Sequence, residues 1–352
     1  LRYHNGANWA YNWFAQLPQD DYDIYTYSFE RSTDELAAKF AALGTHRELT
    51  WSRSRPHDLV REMRSDGLDM LFLTDVGMTA VSRFLSLHRI APCQFTAWGH
   101  PVTTGSAEMD FYLSSDLMEP ADGQDHYTEK LIRLPNLALY LDEEEEEAAA
   151  GEPASFGLPE GRVLYGCLQS TFKYLPRYDG ILPLIAREVP DALFVFLEGP
   201  KSYMTDVMRQ RLDRSFAAEG LDAARHVIFL PRQKSADFDR LMRSMDVCVD
   251  SVGWSGGNTT LRNIQFAVPL ATLPGDFMRG RHSSAMFRML GADELIAGST
   301  GEYVQRLVQL GKDRAYRRHC ADLFRNGRHR LCRDQSFIDA LDAFLKSRPG
   351  IS

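Results

Sequence analysis

The chain is poor in cysteine, has no excess of positive charge and contains no long apolar run. Its 352 residues include five cysteines, Cys93, Cys167, Cys248, Cys320 and Cys332, an odd number with no pair at metal-ligand spacing. That excludes a disulfide framework or a zinc ribbon and leads us to expect reduced, buried thiols in a cytosolic protein. The net charge of −8 makes the surface as a whole repel nucleic acid and anionic membrane, while leaving room for a local basic pocket. No apolar stretch approaches the length needed to span a bilayer, and none has the form of a signal peptide. HExxH, GxSxG and clustered Cys/His are absent, which excludes the common zinc-protease and serine-hydrolase signatures.

What is present is ordinary globular composition, 44% hydrophobic and 25% charged, in a length that suits two medium domains better than one core. In the first part, strand-like and helix-like segments alternate. YDIYTYSF (22–29), LDMLFLTDVG (68–77), CQFTAWGHP (93–101) and DFYLSSD (110–116) read as strands. STDELAAKFAAL (32–43), HDLVREMRSDG (57–67) and TAVSRFLSLHRIAP (79–92) read as helices. DEEEEEAAAGEP (142–153) repels itself and reads as a solvated linker.

The alternation then resumes. Strands are predicted at 162–169, 191–199, 226–231, 246–250 and 269–274, helices at 177–190, 202–220, 235–245 and after residue 257, and a helical tail follows. This pattern predicts an α/β chain of two doubly wound parallel domains facing a cleft, with ligands beyond the carboxyl ends of the strands. The expected boundaries are 1–141, an acidic linker at 142–155, 156–335, and a C-terminal helix at 336–352. The chain opens at Leu1 rather than at a methionine, which reads as a piece of a longer protein.

Five stretches could carry chemistry. In GWSGGNTTLRN (253–263) no lysine follows the second glycine, so it is not a Walker A loop, and its glycines lack dinucleotide-fingerprint spacing. Gly256 and Gly257 can turn tightly and let an anion approach the backbone, while Asn258, Thr259 and Thr260 open a helix whose first amides lack partners. Such a start suits a diphosphate, or is simply an N-capped helix after a glycine turn. In LQSTFKYLP (168–176), Lys173 just past a strand end can reach a phosphate as a point charge, or lie on the surface with its stem buried. WGHPVTTG (98–105) is a strand-end loop. RYHNG (2–6) contains His4, either structural or reactive. PGDFMRGRHSS (274–284) sets Arg279, Arg281 and His282 near a helix start, as an anion-facing edge or a solvated turn. The DxD triplets at 21–23 and 237–239 read as chance occurrences rather than metal sites.

Taken together, the Gly-Thr loop with VPLATLPGDFMRGRHSSAMFRMLGADELIA (268–297), and TAWGHPVTTG (96–105) with YTEKL (127–131), resemble the O-linked N-acetylglucosamine transferase family, including its bacterial members. The resemblance runs from Leu1 to the C-terminus. It implies a GT-B glycosyltransferase that holds a UDP-sugar without metal or other cofactor and acts on a protein or peptide acceptor, with neither nucleic acid nor membrane as partner. By position, Lys173 matches the family lysine on the diphosphate, and Gly256, Gly257, Asn258, Thr259 and Thr260 its cradle. Ser170 and Phe172 match nucleotide contacts. Arg232 and Gln233 match a segment lining the base, and Phe238 matches a position that packs near base or ribose. Gly99, His100 and Pro101 match a loop beside the sugar, and His4 a histidine near the reacting centre.

There are departures. The acidic residue that holds the ribose in many relatives is replaced by Arg262 or Asn263, according to helical phase. The loop histidine is replaced by Gly257 or Asn258. Trp254 stands where relatives can be small, close to the sugar's 2-substituent, which predicts a narrowed pocket favouring glucose or another plain hexose. The implied reaction is inverting transfer of GlcNAc or a hexose to Ser or Thr. Alternatives are N-linked glucosyl transfer to Asn, a non-catalytic nucleotide-sugar or peptide scaffold, and a sugar-nucleotide epimerase.

Overall fold

The computed structural model describes residues 5–29, 35–52, 54–143 and 151–347. The chain divides into two compact units, one of residues 1–142 and 332–352, the other of residues 143–331.

The first unit begins with helix α1 (Asn5–Ala15), strand β1 (Tyr25–Ser28), α2 (Glu35–Ala41) and β2 (Thr45–Glu48), the two strands forming a parallel pair. Then follow α3 (Pro56–Arg64), β3 (Met70–Leu73), α4 (Ala80–Leu85), β4 (Cys93–Ala97), β5 (Phe111–Ser115) and β6 (Lys130–Leu134). β3 to β6 make a four-stranded parallel sheet in chain order. β4 (CQFTA) is buried along its whole length, and its one large polar side chain, Gln94, is satisfied by backbone, accepting from the Ile90 amide and donating to the His88 and Glu108 carbonyls. A strand covered on both faces has no polar side to alternate with. Leu59, Val60 and Met63 of α3 and Leu85 of α4 pack with Leu71 and Leu73 into one core.

The second unit holds β7 (Val163–Cys167), α5 (Ile181–Glu188), β8 (Ala192–Leu197), α6 (Ser202–Ala218), β9 (Val227–Leu230), α7 (Ser235–Arg243), β10 (Val247–Val249), α8 (Asn258–Gln265), β11 (Leu270–Ala271), α9 (His282–Leu290), α10 (Thr300–Lys312) and α11 (Arg314–Gly327). Its five parallel strands run in the order β11-β10-β7-β8-β9. Strand order therefore reverses between β7 and β10, the kind of point beyond whose strand ends open α/β sheets bind ligands. The last helix, α12 (Gln335–Lys346), belongs by its contacts to the first unit rather than standing apart.

Three elements lie outside the sequence reading: α1, β2 and β6. α1 has no acidic residue in its first turn and no basic one in its last. The strand β2 reads THRE and is nowhere fully buried, and β6 (KLIRL) occupies a sheet edge.

Candidate functional site

The reversal point of the second unit carries the two stretches that looked most promising. β7 runs into Leu168 and Gln169, both buried, and then into a single 3-10 turn, Thr171–Lys173. β10 ends at Asp250, and the loop 251–257 leads into α8. Gln169 ties the two strand ends together. Its Nε2 donates to Asp250 Oδ1 at 2.8 Å, and its Oε1 accepts from the Ser251 amide at 3.1 Å and from the Ser251 hydroxyl.

Asp250 is the hub of the loop. It is buried, and its carboxylate also accepts from the Gly256 amide at 2.8 Å and from Thr272 Oγ1 at 2.7 Å. Burial pushes this carboxyl up, against the pull of the Thr272, Gln169 and Gly256 donors. A Cβ on Gly256 would meet Thr260 Oγ1 at 2.5 Å and Gln169 Nε2 at 2.6 Å, so only glycine lets the backbone approach this closely. Gly253 is needed for a second reason, a left-handed φ of 87°. Gly275 and Gly280 meet backbone to backbone, with Gly253 beside both, and this docks residues 274–284 against the loop.

The loop delivers an open helix start. No side chain caps α8, and the first backbone bond into it runs from Leu261 N–H to the Gly257 carbonyl at 3.1 Å. The amides of Asn258, Thr259 and Thr260 consequently have no acceptor among the described residues, and they sit at the positive end of the helix dipole. The Thr260 hydroxyl, by contrast, is taken by Ser283 at 2.8 Å. Lys173 stands beside this start. Its Nζ donates to the Ser255 carbonyl at 3.5 Å and lies 6.0 Å from the centre of the Trp254 ring. Burial pushes its ammonium down, with Asp250 opposing. No carboxylate pairs with it among the described residues. Phe172, exposed, meets Trp254 edge-on at 5.6 Å, and Ser170 is exposed on the same turn. Arg211 holds the chain just beyond, donating to the Tyr174 carbonyl at 2.7 Å and to both oxygens of Asp179.

The stretch 274–284 is not a plain solvated turn. His282 is buried, and desolvation, with the Lys173 charge second, pushes it down to about 3, so it is neutral at ordinary pH. Arg281 donates to the Gly275 carbonyl at 3.2 Å. Arg279 lies over two rings, 4.4 Å from the centre of Phe277 and 5.7 Å from that of Trp254.

The remaining positions fall elsewhere. Arg232 is exposed and Gln233 folds back, its Nε2 donating to the Pro231 carbonyl at 2.6 Å; Phe238 is half-buried on α7. Gln233, Leu230, Pro231, Phe156, Asp237 and Arg240 line a cavity of about 350 Å³ at the end of β9. Of the two residues offered by helical phase for the ribose, Arg262 is engaged with Asp239 and Asn263 is buried. Carboxylates of both DxD triplets form ion pairs: Asp21 with Lys346 at 2.6 Å, Asp237 with Arg240 and Asp239 with Arg262.

Gly99, His100 and Pro101 lie in the first unit, after β4. His100 is half-buried, its basicity lowered by desolvation, and its ring covers Gly77, where a Cβ would come within 3.0 Å. The following threonines are held by buried Glu129, which accepts from Thr103 Oγ1 at 2.8 Å, from the Thr104 amide at 2.8 Å and from the Thr104 hydroxyl. One carboxylate thus staples the two sequence blocks of that unit together. His4 lies outside the described residues.

Gln169, Asp250, Ser255 and Ser283 were missed by the sequence reading. A buried acid at the end of a short apolar strand was the available signal for Asp250. Nothing local marks Gln169.

Residues 142–332 match the model of glycosyl transferase family 41. A probable UDP-N-acetylglucosamine–peptide N-acetylglucosaminyltransferase SPINDLY of Arabidopsis thaliana is 28% identical over 253 residues, 71% of this chain and 27% of that protein. A UDP-glucose:protein N-beta-glucosyltransferase of Actinobacillus pleuropneumoniae is 26% identical over 297 residues, 80% of this chain and 46% of that one. The chain therefore spans about a quarter of the length of the plant relative and under half of the bacterial one. Among solved structures, a mutant of the Thermobaculum terrenum O-GlcNAc transferase superposes with a TM-score of 0.81 at 22% identity, covering 99% of this chain and 65% of that one. Anabaena HepE, solved with UDP and glucose, gives 0.60 at 10% identity, covering 98% and 96%. The fold is that of the GT-B glycosyltransferases.

Proposed function

The chain belongs to glycosyl transferase family 41, and from that premise we propose that it is an inverting glycosyltransferase, moving a sugar from a UDP-sugar onto a Ser or Thr hydroxyl of a protein or peptide. The observation that carries this reading is the pairing, at the β7/β10 reversal, of three α8 amides without an acceptor and an ammonium without a carboxylate partner among the described residues. An anion of two adjacent phosphates is what such a place stabilises.

The acceptor oxygen attacks the anomeric carbon from the face opposite the diphosphate. The bond from that carbon to the diphosphate oxygen breaks as the new one forms, and negative charge collects on departing UDP. Lys173 and the amides of Asn258, Thr259 and Thr260 are oriented before the reaction begins, so they stabilise that charge without reorganising. His4 is the candidate base for the acceptor's proton. The reading calls for no metal or other cofactor, and five cysteines with no disulfide among the described residues suit a cytoplasmic enzyme.

Isothermal titration with UDP, alongside transfer assays on Ser/Thr peptides, tests it. Micromolar UDP binding that is lost in Lys173→Ala is expected. Absence of UDP binding by the folded chain contradicts it. A second reading, transfer of glucose to Asn, is favoured by the longer match to the Actinobacillus protein, 80% of this chain against 71% for the plant relative. Assays with Asn-containing peptides separate the two.

A further inference from the structure

One cation beside the α8 start is not used by the reading above. Arg279 sits in the short 3-10 turn Met278–Gly280, on the segment that the glycine contacts dock against the 251–257 loop. Its carbonyl accepts from the Ser255 amide at 2.8 Å, and the Ser255 carbonyl is the acceptor for Lys173. Both side chains then converge on a single indole. Lys173 Nζ lies 6.0 Å and Arg279 Cζ 5.7 Å from the centre of the Trp254 ring, while Phe277 supports the guanidinium from another side at 4.4 Å.

Arg279 forms no ion pair and no side-chain hydrogen bond among the described residues. Other half-buried arginines of this unit have acceptors, either acids, as for Arg211 with Asp179, Arg262 with Asp239 and Arg317 with Asp246, or backbone carbonyls, as for Arg162 with those of Asp191, Ala192 and Arg225. Two positive side chains on one ring, neither paired with an acid among the described residues, on a loop that opens into a helix start whose first three amides have no acceptor there, make a place that suits an anionic ligand. Aromatic stacking holds the guanidinium plane while leaving its N–H edge available, and a planar fork of donors suits phosphate oxygens.

We propose that Arg279, positioned by Trp254 and Phe277, is a second cationic contact to the donor's diphosphate, acting with Lys173 across the opening of α8. This rests on the diphosphate being bound there, as proposed above. It also gives the indole a task apart from shaping the sugar pocket: it sets the position of a charge.

The test is titration of the full chain with UDP, UMP and uridine, using Arg279→Met, which keeps an apolar stem over the rings, Arg279→Lys, and Lys173→Met as reference. Arg279→Met is expected to weaken UDP about tenfold, the scale of one charge-assisted hydrogen bond. UMP should weaken less and uridine not at all, and Arg279→Lys should fall between wild type and Met. The UDP affinity of Arg279→Met should also depend less on salt than that of the wild type. Wild-type UDP affinity in Arg279→Met, with Lys173→Met weakened, overturns the assignment and leaves the diphosphate site standing. An Arg279→Met that changes only the KM for an acceptor peptide overturns it too. Unchanged UDP affinity in both variants removes the diphosphate site itself. Should the Met variant fail to fold, Arg279→Gln carries the same comparison.

Discussion

The two units are built alike and differ in what their strand-end loops do with their polar groups. In the first unit, β3 to β6 lie in chain order, and the loop after β4 is closed on itself, its threonines consumed by buried Glu129. In the second, strand order reverses between β7 and β10, and the loop after β10 is just as well organised around Asp250. There, however, the organisation ends by presenting donors outward: three helix amides, Lys173 and Arg279. Buried carboxylates build both loops. On the proposed function, what separates a scaffold loop from a binding loop is whether any donors remain once the acid has taken its share.

The sharpest way to break this comparison is Lys173→Ala. If the second unit's excess of donors is functional, turnover should fall about a hundredfold or more, with the melting temperature unchanged or slightly raised. Near-normal turnover would end the distinction between the loops.

The converse variant is Glu129→Ala. It leaves the Thr104 amide and two hydroxyls without their acceptor, and should cost roughly 2 kcal/mol of stability in urea denaturation while leaving the Kd for UDP unchanged. A large change in UDP affinity would show that the first unit's loop is not merely structural.

pH sharpens the contrast further. Because burial lowers Lys173 in the folded state, UDP affinity should decline with rising pH at a lower pH than an exposed lysine would set. The sign for stability is opposite. The unfolded chain holds that proton more tightly, so this residue's contribution improves with rising pH between the folded and unfolded values. Titrations with UDP and urea melts across the alkaline range check both directions.

The smallest expected effect concerns Trp254. The intact indole should favour UDP-glucose over UDP-N-acetylglucosamine by a few-fold, about 1 kcal/mol, and Trp254→Leu should narrow that ratio. Tighter binding of the acetamido sugar to the wild type would dispose of the idea.

Much of this was legible before any coordinates. The apolar runs of β3, β7, β8 and β10 announce buried parallel strands, because such strands have no solvent face to encode. β2 and β6 escaped because polar or charged residues interrupt them at sheet positions with few neighbours. Lys173 and the Gly-Thr loop could be picked out by their place after strands. Gln169 and Asp250 could not be linked, since they lie 81 residues apart and meet only through the β7/β10 pairing. Helical phase left Arg262 and Asn263 as equals; the ion pair to Asp239 distinguishes them. The second cation, Arg279, sat in a stretch that read equally well as a solvated turn, until the contact of Gly253, Gly275 and Gly280 brought it to the loop.

The most direct measurement is a crystal structure of the chain grown with UDP. The account places the diphosphate oxygens within hydrogen-bonding distance of the Asn258, Thr259 and Thr260 amides, with Lys173 Nζ moved from the Ser255 carbonyl onto a phosphate. UDP bound elsewhere, with the α8 start covered by the protein's own side chains, would contradict it.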